Sequence, residues 1–170
     1  MQFGWLSRLL GGTEDEPKLT PQRPAFRWPG PRVGAPVLFL DFDGVLHPGQ
    51  SETFEFMPDL YRILDALPEL DVVVSSSWRD TAPPDYLQKL FREPYRSRVC
   101  DVIGPEPALP FARQLAIEAY VAARGLRRFL AVDDSAELFR PNCPWLVHVN
   151  RHHGISGVHG GALLAALSGI

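Results

Sequence analysis

Val37-Leu38-Phe39-Leu40 is an uninterrupted apolar run that stops dead at Asp41. Four successive apolar side chains cannot all be buried by a strand with one wet face, so the run predicts a strand covered on both sides, as in a parallel sheet. The same grammar recurs. Val72-Val73-Val74 stops at Ser75-Ser76-Ser77, and Phe129-Leu130-Ala131-Val132 stops at Asp133-Asp134. Val99 to Ile103 and Leu146 to Val149 are two further strand candidates. Helical patterns fall between them: residues 58–67 with proline near the start, a stretch opened by Pro83 and Pro84 and running to about Phe91, residues 110–124 stopped by Gly125, and a closing helix from Leu163 to Leu167. Strand alternating with helix predicts an α/β, Rossmann-like three-layer sandwich around a central, mainly parallel sheet.

The chain has 170 residues, enough for one domain, and no apolar run approaches the ~20 residues of a membrane-spanning helix. Two cysteines, Cys100 and Cys143, cannot build a disulfide framework or a cysteine-rich zinc site. Residues 1–36 hold six of the 17 prolines and the acidic cluster Glu14-Asp15-Glu16, which reads as an extended, mobile arm preceding a domain over 37–170. Phe3 to Leu10 has the spacing of two helical turns with one apolar face, and a frayed end is the expectation there. A secretory leader needs a basic start and a longer apolar stretch, and the sparse cysteines agree with a cytoplasmic protein. Residues 37–170 carry 12 Lys and Arg against 17 Asp and Glu, which counts against tight nonspecific binding to nucleic acid.

In a parallel sheet the chemistry collects where the strands end. Three strand ends here deliver Asp41 and Asp43, the hydroxyls of Ser75 to Ser77, and the pair Asp133 and Asp134. Such carboxylates repel one another unless a cation lies among them, and an all-oxygen donor set with few carboxylates suits Mg²⁺. Asp41 and Asp43 are two apart, so in extended backbone they point the same way, and Gly44 permits a sharp exit. Singly each feature has an ordinary explanation: Asp-x-Asp-Gly as a turn, Asp133-Asp134 as a cap for a helix beginning at Ser135, the serines as a polar strand exit. Their convergence on one sheet edge is what argues for a site.

Residues 37–45, with the apolar strand and Asp41-Phe42-Asp43-Gly44, resemble the first motif of the haloacid dehalogenase (HAD) superfamily; Val72 to Ser76 resemble the second and Val132-Asp133-Asp134 the fourth. Arg113, at a helix start upstream of Asp133, fits the third. Ser-Ser-Ser-Trp-Arg at 75–79 and His47-Pro48 are similar to the HAD domain of "Swiss Army knife" RNA-repair proteins. The resemblance implies a Mg²⁺-dependent phosphomonoester hydrolase working through an aspartyl-phosphate. Asp41 is then the nucleophile and Asp43 the acid and base. Ser75 or Ser76, and Arg113, bind the phosphate. Asp41, the Asp43 carbonyl and Asp134 hold the metal, with Asp133 beside it. Arg79 and His47 are candidate substrate contacts. The intervals 44–71 and 80–110 leave no room for a large cap domain, so the site is expected to be open to a bulky phosphorylated substrate such as a nucleic-acid end. A small-molecule or nucleotide phosphatase is the alternative, and a non-catalytic binding or regulatory module of the same fold is the third reading. His152, His153 and His159 lack the carboxylate spacing of a transition-metal site.

Overall fold

The computed structural model describes residues 26–170. Five strands form one parallel sheet: β1 (Val37–Leu40), β2 (Asp71–Val74), β3 (Val99–Val102), β4 (Phe129–Asp133) and β5 (Leu146–His148), in the spatial order β3-β2-β1-β4-β5. Every residue of β1 and β2 is buried, as their unbroken apolar runs require. Alternate residues serve opposite faces. Leu38, Leu40, Val72 and Val74 face one apolar cluster with Leu60 and Leu64 of α1 (Met57–Ala66), Leu87 of α2 (Pro84–Lys89), and Leu163 and Leu167 of α4 (Val158–Ser168). Val37, Phe39, Val73 and Ala131 face the other, with Ala116 and Ile117 of α3 (Ala112–Arg124). The fold is therefore the expected three-layer α/β sandwich, with no large cap domain among the described residues.

The order reverses at β1, which lies between β2 and β4, and the loops leaving these three strands part on either side of it. That is where a doubly wound sheet opens a crevice at its carboxyl edge. Helix α3 ends at Gly125 with φ 63°, whose amide bonds back to Val121 and Ala122, the left-handed stop that its sequence signals.

Three expectations need correcting. The closing helix begins at Val158 rather than Leu163, because Gly160 does not break it. A Cβ at Gly160 would meet the Ile155 carbonyl at 2.5 Å, so glycine is what lets the turn pack there. Only a three-residue 3-10 turn, Ala136–Leu138, follows Ser135 in place of a helix. The described end of the proline-rich arm is fastened to the sheet. Gly30 N–H donates to the Cys100 carbonyl at 2.9 Å, and the Arg32 amide and guanidinium both bond the buried carboxylate of Asp71. The amphipathic segment at Phe3 to Leu10, with all of residues 1–25, lies outside the described residues. Among the described residues no helix is long and apolar enough to cross a membrane.

Candidate active site

Asp41 is the first residue beyond β1, and its amide still bonds the Val132 carbonyl at 3.2 Å, which fixes its backbone. Its side chain is 8% exposed. Asp133 and Asp134 arrive from the neighbouring β4, so that one carboxylate oxygen from each of Asp41, Asp133 and Asp134 lies within 4.8 Å of the others. Glycine at 44 is what makes room. Its φ is +70°, and a Cβ there would fall 2.2 Å from Asp134 Oδ2.

A buried cation faces this cluster. Arg113, in the first turn of α3, is buried, with Nη1 2.8 Å from Asp133 Oδ2 and 3.3 Å from Asp41 Oδ1. Its Nε donates to Glu106 in the loop after β3. Burial works against the Arg113 charge, but Asp133, Asp41 and Glu106 outweigh it and raise its pKa further. Burial also pushes Asp41 and Asp133 up from the usual carboxylate range. Arg113 opposes the shift in both, whereas each feels further repulsion from neighbouring carboxylates. Asp41 and Asp133 thus share the buried Arg113 guanidinium in a desolvated pocket, an imbalance that a hard cation would relieve. Asp41 and Asp134 fit such an ion better than Asp133. Asp133 spends Oδ1 on the Ser135 amide and Oδ2 on Arg113, so it orients the cluster.

Asp43 stands in a different environment. Its Oδ1 is 2.9 Å from His47 Nε2, and the Trp78 indole N–H donates to its Oδ2 at 3.0 Å. Its side chain keeps 25% exposure. His47 Nε2 makes the contact to Asp43, while its Nδ1 is buried without a partner. Trp78 is held in turn by edge-on contacts to Phe42 at 5.7 Å and Phe54 at 5.4 Å.

Of the two serines, Ser76 accepts from the Trp78 amide at 3.5 Å and helps to hold the Asp41 pKa down; Ser75 is buried with an unpartnered hydroxyl. Two candidate contacts sit elsewhere than expected. His47 is fully buried and reaches Asp43 rather than the surface. The Arg79 side chain is 3% exposed; its Nη1 donates to the Ser75 and Ser76 carbonyls at 2.7 and 2.8 Å and its Nη2 to Glu106 at 3.1 Å. Arg79 therefore braces the serine loop. Neither side chain is at the surface because each closes a polar network beneath the site.

Sequence reasoning passed over Glu106, which joins Arg79 to Arg113, and the hydrogen bond from Trp78 to Asp43. The signal for Glu106 was its place just beyond a strand end at the same sheet edge. Arg151 and His148 were also missed. Arg151 Nε lies 3.8 Å from Asp134 Oδ2 with 61% of the side chain exposed, and His148 Nε2 is 3.0 Å from the Asp134 carbonyl.

The model of the family described as the HAD domain in Swiss Army Knife RNA repair proteins matches residues 37–159, from the first residue of β1 into α4. The chain belongs to that family. Every element that builds the site lies within the matched span, which makes it a HAD-type hydrolase fold with its acidic cluster in place. No curated protein and no solved structure is significantly similar to the chain.

Proposed function

We propose that this HAD domain is a Mg²⁺-dependent phosphomonoesterase that works through an aspartyl-phosphate on Asp41. The observation carrying the proposal is the division of labour between two carboxylates two residues apart. Asp41 lies in the buried cluster with Arg113, while Asp43 is held outside it by His47 and Trp78. Two carboxylates in contrasting environments are what a nucleophile and a proton-transfer group require.

A carboxylate oxygen of Asp41 attacks phosphorus as the ester oxygen leaves with a proton from Asp43. Water then attacks the phosphorus of the aspartyl-phosphate, Asp43 takes a proton from it, and inorganic phosphate departs as Asp41 is regenerated. Arg113 carries positive charge beside Asp41, where the oxygens of the transferring group gather charge. The Ser76 hydroxyl, next to Asp41, is a donor for one of those oxygens. Mg²⁺ would be held by Asp41, Asp134 and the Asp43 carbonyl, with Asp133 behind it, and would supply charge neutralisation.

The absence of a large cap supports access by a bulky ester, a nucleic-acid end among them. The net charge of −5 over residues 37–170 supports recognition of that end locally rather than through a long polyanion track. The test is phosphate release from an aryl phosphate with Mg²⁺ or EDTA, for wild type and Asp41→Asn. Turnover confined to wild type with Mg²⁺ supports the reading. Turnover that survives in Asp41→Asn refutes it. Comparing phosphorylated oligonucleotides with mononucleotides then separates nucleic-acid ends from small esters.

A further inference from the structure

We propose that the cleft beside Trp78 is a leaving-group subsite that takes a flat aromatic ring carried by the phosphate ester; this rests on the phosphomonoesterase reading above. The cleft has a volume of about 420 Å³ and is lined by Glu52, Trp78, Thr81, Ala82, Pro83 and Tyr86. It is shallow and open to solvent, a surface against which a ring can lie flat.

Trp78 connects the cleft to the reacting atoms. Its indole N–H donates to Asp43 Oδ2 at 3.0 Å while its ring forms part of the cleft wall. In an in-line displacement the leaving oxygen lies opposite Asp41 and beside the group that protonates it. Whatever is bonded to that oxygen therefore extends past Asp43 toward Trp78.

The lining chemistry selects the occupant. Two aromatic residues, a proline and an alanine offer flat apolar surface, and the only charge is the carboxylate of Glu52. A second phosphate would be repelled there, whereas a neutral ring bearing an amino or hydroxyl group could donate to Glu52 and stack on the aromatic walls. Tyr86 is 48% exposed, and among the described residues no aromatic ring packs against it. Trp78, by contrast, is backed by Phe42 and Phe54, so one wall is rigid and the other is unpartnered. Glu52 and Phe54 adopt left-handed backbone with φ 55° and 52°, a costly conformation retained in the loop that brings Glu52 to the cleft.

The experiment compares benzyl phosphate with cyclohexylmethyl phosphate, esters of alcohols of similar acidity that differ in the flatness of the ring. Steady-state kcat/KM is measured with Mg²⁺ for wild type, Tyr86→Ala and Tyr86→Phe. The subsite predicts a preference for benzyl phosphate of about tenfold or more in wild type, in line with ring-stacking energies. Tyr86→Phe keeps that preference, and Tyr86→Ala loses most of it through KM. Equal turnover of the two esters by wild type, or an undiminished preference in Tyr86→Ala, overturns the subsite and leaves the phosphatase reading standing. Failure of wild type to hydrolyse either ester overturns both.

Discussion

Replacing Arg113 with methionine tests the electrostatics of the site without relying on turnover. The side chain is buried, and its Nη1 pairs Asp133 at 2.8 Å and Asp41 at 3.3 Å while its Nε binds Glu106. Methionine fills much of the same space and removes the charge, leaving Asp41 and Asp133 without their buried counter-ion and Glu106 with Arg79 alone. Breaking a buried ion pair by removing one partner costs about 3–5 kcal/mol. For a domain of this size that lowers the thermal midpoint by roughly 10 °C. The loss depends on pH, with a definite sign. Burial already raises the Asp41 and Asp133 pKa values in the folded state, and Arg113 is the group that holds them down. Without it they rise further, so the folded state binds more protons than the unfolded chain from about pH 4 upward. Stability then falls as pH rises, and Arg113→Met loses more at pH 8 than at pH 5. Added Mg²⁺ restores part of the loss at pH 8 by binding only the folded form. Urea unfolding at both pH values, with and without Mg²⁺, measures all three effects. A loss under about 1 kcal/mol, equal at both pH values and indifferent to Mg²⁺, refutes the account of a carboxylate cluster held by Arg113.

Three further perturbations probe other parts of the structure. Gly44→Ala puts a Cβ 2.2 Å from Asp134 Oδ2 at φ +70°, so it should cost about 1–2 kcal/mol in backbone strain and weaken Mg²⁺ binding measured by calorimetry; unchanged affinity contradicts the close packing. Glu106→Ala strips the acceptor shared by Arg79 and Arg113 and should destabilise by about 1.5–3 kcal/mol in urea, with Glu106→Gln milder because it keeps an acceptor; equal effects argue against the bridging role. Burial pushes the Cys100 thiol up to about 12, so a thiol reagent at pH 8 should label Cys143 in the native protein and Cys100 only after unfolding. Native labelling of Cys100 contradicts that burial.

Much of this architecture is legible in the chain because burial on both sheet faces leaves no freedom in composition. Val37 to Leu40 and Val72 to Val74 must be apolar throughout, and their abrupt polar ends mark the sheet edge where Asp41, Ser76 and Asp133 gather. Arg113 came only through the family resemblance, since one arginine in an amphipathic helix carries no spacing signal of its own. What escaped reading are contacts set by tertiary packing. His47 follows Asp43 by four residues, yet a loop histidine reads as surface until Phe54, 4.8 Å from its ring, and Trp78 enclose it. Arg79 looks like a free cation until Glu106, 27 residues on, arrives from the loop after β3. Gly160 and Gly161 suggest a loop, and only the nearness of the Ile155 carbonyl explains a glycine inside α4.

The central claim is that Asp41 accepts the phosphoryl group and Asp43 moves protons for both half-reactions. The most direct measurement uses Asp43→Asn with Mg²⁺ and an aryl phosphate, whose leaving group needs no proton. The reaction is quenched in acid and the peptides are sequenced by mass spectrometry. The account predicts that one phosphoryl group accumulates on the peptide from β1, at Asp41, because the water of the second step has lost its base. It also predicts no such adduct in Asp41→Asn. Phosphate released at wild-type rate by Asp43→Asn, or a phosphoryl group on any other residue, would contradict it.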